Sequence, residues 1–236
     1  MSNAYFQFKQ FCIHHDRCAM KVGTDGVLVG AWSPLEAPKH ILDIGTGSGL
    51  IALMVAQRFP EAEVAGIDID EVAVVQAQEN VDASPFSERV HLMVSALQDA
   101  PFAEASFDAI VCNPPFFEER LLPPDEDRSN ARHTTSLPFA TLVGCSAKLL
   151  RPRGQFCVIL PANSFDAFRQ LCFVNGLSLS HRCDVQTSPR RPAKRVLACF
   201  SKGEVQGVDE QLLTLSEAGR RSRQYAHLTA DFYLYG

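Results

Sequence analysis

The stretch HILDIGTGSGLIALMVAQRF, residues 40–59, restricts the fold of this chain more than any other. Five residues of largely apolar, strand-like character run into glycines at 45, 47 and 49, and a helix-period segment follows at once. That order predicts a β-α unit whose turn is tight and whose backbone can come close to a ligand. The alternation then repeats. AEVAGIDI (62–69) reads as a strand and EVAVVQAQENV (71–81) as a helix, while RVHLMV (89–94) and FDAIVC (107–112) read as strands. Ser136 can cap a helix running to Leu149 with Pro138 in its first turn. QFCVILP (155–161) is a strand, residues 165–175 are a helix closed by Gly176, and LSLSHRCDV (177–185) and RVLACFS (195–201) are the last strands.

Repeated β-α-β spacing predicts an α/β fold: a doubly wound, mostly parallel, seven-stranded sheet of Rossmann-like type with helices on both faces. QTSPRRPAK (186–194) joins the last two strands without a helix, so they should form an antiparallel hairpin at one sheet edge. Residues 1–35 read as an N-terminal extension of short strands and a helix, and residues 36–236 as the main domain. The one long irregular segment, residues 114–135, is of a length that is usually functional or disordered.

A chain of 236 residues suits one large domain, and 46% hydrophobic with 21% charged residues is ordinary for a globular protein. The eight cysteines are scattered without a C-x-x-C pair and sit mostly in apolar runs, which favours buried reduced thiols over a disulfide framework or a metal site. His14, His15 and Asp16 are accounted for by a turn between two N-terminal strands, with no third ligand in view, and no metal is expected. No apolar stretch reaches the roughly 18 residues of a membrane span, and FQFKQFCIHHDR is too polar for a secretory signal, so a cytoplasmic protein is expected. Net charge is −5, but from residue 180 onward nine Lys+Arg face six Asp+Glu. That +3 leaves −8 on the rest, an acidic body with a basic C-terminal part able to bind a polyanion locally.

The glycine turn is G-x-G-x-G, and nineteen residues beyond Gly49 stands Asp68, at the end of the next strand. A doubly wound fold places there the carboxylate that holds a ribose hydroxyl. No lysine in the turn meets phosphates, which suits a nucleoside with a neutral or cationic tail. Further on, the strand of residues 107–112 stops at Asn113-Pro114-Pro115-Phe116. Proline ends a strand and stiffens the backbone, so this reads either as a terminator or as a rigid bracket for Asn113.

D-x-G-x-G-x-G followed by N-P-P-F resembles the class I methyltransferases that use S-adenosylmethionine, in the branch that methylates planar, sp²-bound nitrogen. An exocyclic amine of a purine is a poor nucleophile because its lone pair is delocalised. The Asn113 side-chain oxygen and the Pro114 carbonyl could accept its two N–H bonds and aim the lone pair, by positioning rather than by a strong base. Phe116 could stack on the base, a contact worth roughly 1–3 kcal/mol.

The likeness runs further. FQFKQFCIHHDRCAMKVGTDGVLVGAWS (6–33), LDIGTGSGLIALMVAQR (42–58), AQEN (77–80), ARHTTSL (131–137) and DFYLYG (231–236) are similar to the bacterial tRNA1(Val) adenine-37 N6-methyltransferases. The resemblance implies cofactor contacts at Lys21, Thr24, Asp25, Asp43, Gly45, Thr46, Gly47, Gly49, Asp68, Ile69, Ala96 and Asn113, and chemistry at Asn113, Pro114 and Phe116. It implies tRNA as partner, through the anticodon region of a valine tRNA, with no membrane and no obligate protein partner. The family usually carries tyrosine where Phe116 stands, and Ala96 occupies a position where an aspartate commonly receives the cofactor adenine. RNA contacts are expected at Pro115, Phe117, Arg132 and His133. They are also expected at Arg190, Arg191, Lys194 and Arg195 of SPRRPAKR and at Arg221 and Arg223 of GRRSRQY. N-P-P-F is shared with ribosomal-RNA guanine-N2 methyltransferases, and N-P-P plus an aromatic with protein glutamine-N5 methyltransferases. These remain alternatives, as does a non-catalytic S-adenosylmethionine-binding or RNA-chaperone protein.

Overall fold

The computed structural model describes residues 3–115 and 137–234. The chain opens with an antiparallel ribbon, β1 (Tyr5–Gln7) and β2 (Cys12–His14), and a short helix, α1 (Thr24–Trp32). Then come β3 (His40–Ile44), α2 (Leu50–Arg58), β4 (Glu63–Asp68), α3 (Glu71–Asp82), β5 (Val90–Val94) and β6 (Phe107–Cys112). After the segment outside the described residues follow α4 (Phe139–Leu149), β7 (Leu150–Pro161), α5 (Phe165–Val174), β8 (Leu177–Gln186) and β9 (Arg195–Lys202). The chain ends with β10 (Asp209–Thr214), the ribbon β11 (Ser216–Glu217) and β12 (Arg220–Arg221), and α6 (Arg223–Leu228).

The main sheet has the order β10-β8-β9-β7-β6-β3-β4-β5, with β9 antiparallel to both neighbours and every other pairing parallel. Among the described residues it has eight strands, not the seven expected from sequence, and the β8–β9 hairpin lies one strand in from the edge, behind β10. The additional strand is DEQLLT, whose first four residues are exposed and only whose last two, Leu213 and Thr214, are buried. An apolar run of that length is too short to announce a strand.

The central strands are buried on both faces, and successive residues go to opposite cores. Ile41, Val111, Cys157, Ile159, Leu197 and Cys199 pack with α1 and α2, whereas Leu42, Ile110, Phe156, Val158, Val196 and Phe200 pack with α4 and α5. Phe165, Phe168 and Cys172 recur at helical spacing on α5 and are its buried stripe. Helix α4 begins at Phe139, two residues later than a Ser136 cap implies, because Pro138 is extended with ψ 141° and takes the N-cap position; Ser136 itself lies outside the described residues. The two ends of the chain meet. Phe8 stacks on Phe11 and Tyr233, with centroids 4.8 and 5.9 Å apart, and the Lys9 amide donates to the Phe232 carbonyl at 2.8 Å. All eight cysteines are free thiols, six of them buried.

Gly66 in β4 lies directly beneath the glycine turn. A Cβ there would stand 2.5 Å from Leu92 Cδ2 and 2.9 Å from Thr46 Oγ1. Gly66→Ala is therefore expected to lower the unfolding free energy by about 1–3 kcal/mol, as overpacking does, in urea titrations followed by circular dichroism.

Candidate active site: the cleft where β3 and β6 end

Strand β3 passes the chain outward to β4 and β5, and the chain then crosses to β6 on the other side of β3. The carboxyl ends of β3 and β6 thus flank a topological switch point, the place where open α/β sheets bind ligands. Ile44 pairs with Cys112, so Gly45 and Asn113 leave the sheet side by side.

The turn after β3 is held from below. The amides of Gly45 and Thr46 both donate to the Ile67 carbonyl at 2.9 Å, and the Gly47 amide donates to Asp68 Oδ2 at 2.9 Å. Gly45, Gly47 and Gly49 have φ of 71°, 52° and 80°, a region costly for other residues. A Cβ on Gly45 would meet nothing within 4 Å, and one on Gly47 only the Gly45 carbonyl at 4.0 Å. The turn therefore opens onto a cleft of about 290 Å³. The walls are Met20, Lys21 and Gly23 of the N-terminal segment, Thr24, Asp25 and Gly26 at the head of α1, the glycine turn with Leu50 and Ile51 of α2, and Asn113 with Pro114.

Two buried acceptors have no hydrogen-bond partner among the described residues: Asn113 Oδ1 in the cleft lining and Asp43 Oδ1 beneath the turn. The other Asp43 oxygen is well satisfied, accepting from Thr46 Oγ1 at 2.7 Å and the Ala52 amide at 3.1 Å. Burial pushes the Asp43 carboxyl up to about 7. The Thr46 and Ala52 bonds oppose that rise, and the neighbouring Asp68 charge adds to it.

The family model described as "Methyltransferase small domain" matches residues 26–167. A protein of Phocaeicola vulgatus named tRNA1(Val) (adenine(37)-N6)-methyltransferase is 46% identical over 236 residues, with 99% of each chain covered. One of Erwinia tasmaniensis with the same name is 44% identical, covering 98% of this chain and 95% of its own. The chain belongs to this methyltransferase family. In three dimensions it is similar to a predicted O-methyltransferase of Agrobacterium tumefaciens, at 18% identity and a TM-score of 0.71 over 88% of this chain and 96% of that one. The fold is that of the class I S-adenosylmethionine-dependent methyltransferases.

Of the residues singled out from sequence, the cleft brings together Lys21, Thr24, Asp25, Gly45, Thr46, Gly47, Asn113 and Pro114. Asp43 lies beneath the turn, and Gly49 sets the left-handed N-cap of α2. Asp68 braces Gly47 and also accepts from the Asp70 amide at 3.0 Å, while Asp70 itself caps α3. Ile69 is exposed beyond the end of β4, and Ala96 precedes a 3-10 turn, Leu97–Asp99. Pro115 is exposed. Phe116, Phe117, Arg132 and His133 lie outside the described residues.

The basic loops also converge. The Leu215 and Ser216 amides donate to the carbonyls of Gln186 and Thr187 at 2.9 and 3.0 Å, so the β11–β12 ribbon sits beside the 187–194 loop. Arg190, Arg191, Lys194, Arg220, Arg221 and Arg223 are exposed along this ridge. Arg221 lies over the Tyr233 ring at 4.3 Å. Arg195 is turned inward: its Nε donates to Asp25 Oδ2 at 2.8 Å, joining the end of the loop to the cleft wall. Sequence reasoning passed over Gly26, whose missing Cβ leaves room beside Leu50 and Asn113; it is the only small residue in the TDGV turn, and that was its one signal.

The Asp43 shift has a definite sign. The folded carboxyl holds its proton to a higher pH than the unfolded one, so its contribution to stability is full below about pH 4 and is lost as pH rises to about 7. Comparing wild type with Asp43→Asn by urea unfolding across that window, the difference should move in favour of the variant as pH rises and level off above about 7.

Proposed function

We propose that this chain transfers a methyl group from S-adenosylmethionine to N6 of adenosine 37 in tRNA1(Val), leaving S-adenosylhomocysteine. The observation that carries the reading is likeness over almost the whole chain to relatives of that name, 42–46% identical. The chemistry of the site agrees with it.

The cleft suits that cofactor. It combines a glycine turn open to close approach, the orphaned buried Asn113 Oδ1 and the N-terminal ends of α1 and α2, where positive potential attracts the carboxylate of an amino-acid tail. Lys21, Thr24, Asp25 and the glycine turn would hold the tail, with Asp43 below and Asp68 and Ile69 on the nucleoside side. Bound there, S-adenosylmethionine supplies an electrophilic methyl. Asn113 Oδ1 and the Pro114 carbonyl accept the two N–H bonds of the adenine amine, which favours a more tetrahedral nitrogen and points its lone pair into the cleft. Asn113 cannot take up a proton, so the one shed by the methylated amine passes to water. Placing a free acceptor in advance removes the reorganisation that a solvated amine would need.

The ridge of Arg190, Arg191, Lys194, Arg220, Arg221 and Arg223 supports phosphate contact on the same side of the sheet as the cleft. Such contacts position the RNA and leave base choice to the pocket. Among the described residues no helix is long and apolar enough to cross a membrane, and a cytoplasmic enzyme acting on free tRNA fits this reading.

The test is incubation with labelled cofactor and tRNA from a strain lacking the enzyme, followed by nucleoside analysis. N6-methyladenosine in valine tRNA is expected; N2-methylguanosine, no labelled tRNA, or label passing instead to a release-factor peptide in a parallel incubation would overturn the proposal. Asn113→Ala should lower kcat by about 10²–10³, as loss of a preorganised polar contact does. Replacing Arg190, Arg191 and Lys194 by alanine should flatten the salt dependence of tRNA binding by roughly 0.7–0.9 log units per lost contact, measured by filter binding.

A further inference from the structure

Helix α3 carries two amide side chains one turn apart, Gln76 and Asn80, that are 1% and 2% exposed. Neither lines the cleft. Asn80 grips both backbone groups of His14: its Oδ1 accepts from the His14 amide at 2.9 Å and its Nδ2 donates to the His14 carbonyl at 2.8 Å. Nδ2 also donates to the Ser48 carbonyl, inside the glycine turn, at 2.9 Å. Gln76 takes the next stretch. Its Oε1 accepts from the Arg17 amide at 3.0 Å and the Cys18 thiol at 3.2 Å, and its Nε2 donates to Asp16 Oδ1 at 2.7 Å. Burial pushes the Cys18 thiol up to about 11, which keeps its proton available for that bond.

Residues 15–23 form neither helix nor strand. Ordering such backbone costs about 1–2 kcal/mol per residue, and no ladder repays it here. Two and three residues beyond Cys18 the chain becomes the cleft wall, at Met20 and Lys21. One helix thus fixes both the segment that leads into the wall and the turn opposite it.

We propose that Gln76 and Asn80 are positioning residues for the cofactor, holding residues 14–18, and through them the wall of residues 20–26, at a set distance from the glycine turn. The assignment rests on reading the cleft as the cofactor site.

Gln76→Glu tests it, because the change replaces a donor by a carboxyl group facing Asp16. Two carboxylates at that spacing must share a proton. The charged and titratable groups around the position are Asp16, His14, Arg17 with its partner Glu79, Cys18, Asp68 and Asp70. At low pH the shared proton restores the bond, and the bond is lost once the pair gives that proton up. The dissociation constant for S-adenosylhomocysteine, by calorimetry, should then rise roughly tenfold or more between pH 5 and 8 in the variant relative to wild type. The KM for S-adenosylmethionine should rise in parallel, with kcat at saturation retained. In the cofactor-free protein, amide exchange of residues 15–26 should quicken with the same pH dependence. Adding Asp16→Asn reverses the donor and acceptor, and should return affinity and exchange to within about threefold of wild type at every pH. A folded Gln76→Glu protein with unchanged affinity at pH 8, or a double variant no better than the single, would overturn the positioning role while the cofactor reading stands. Wild-type protein that bound no S-adenosylhomocysteine would overturn the cofactor reading and this role with it.

Discussion

The parallel pairing of β3 with β6 is the constraint on which the site depends. Its register, Ile44 against Cys112, makes a glycine turn and an asparagine sixty-eight positions apart leave the sheet as neighbours. Side chains alternate faces along a strand, so a slip of one residue would carry Asp43 away from α2 and strip it of Thr46 Oγ1 and the Ala52 amide. The apolar alternation of Ile41, Leu42 and Ile44, divided between two separate cores, is what forbids that slip. Hydrophobic burial thereby sets the position of a polar site to within one residue.

Buried polar atoms in this molecule fall into two groups with different meanings. Asn80 and Gln76 are almost wholly enclosed, and each makes three hydrogen bonds inside the chain. Groups of that kind lock a local arrangement, because losing one partner strands the other without water. Asp43 Oδ1 and Asn113 Oδ1 are also buried and accept from nothing among the described residues. Native proteins rarely leave such atoms unpaired without a functional reason, and these two belong to the strand ends that flank the cleft. Gln57, Ser106 and Ser146 each have an unpaired buried oxygen as well, so the orphan atom alone marks nothing; at Asp43 and Asn113 it coincides with the open glycine turn.

The parts of the fold visible in the sequence are those written by local rules. Every central strand carried a continuous apolar run, and every glycine at positive φ in the turn was evident from its spacing. Strand β10 escaped notice because its hydrogen bonds to β8 are backbone bonds, and four of its six side chains face water. Helix α4 started late because proline at its cap is extended. The hardest residues to foresee were those whose role depends on distant backbone. Gln76 and Asn80 look like ordinary polar positions on an amphipathic helix, yet residues some sixty positions upstream complete them. Arg195 reads as one more cation in a basic loop, until its partner 170 residues away is known.

Those two long-range contacts share one physical consequence. In the wall formed by residues 20–26 the one apolar anchor is Val22, half-buried against the core; Met20 is exposed, and Gly23 and Gly26 carry no side chain. At one end the α3 amides hold the backbone just before it. At the other, Arg195 holds Asp25, with both side chains about one-third exposed. A partly exposed ion pair contributes modestly to overall stability, but it fixes direction where few other contacts do. Arg195 is also where the basic loop returns to the sheet. The surface proposed to meet RNA and the wall proposed to meet the cofactor are therefore mechanically continuous, through one guanidinium and one carboxylate.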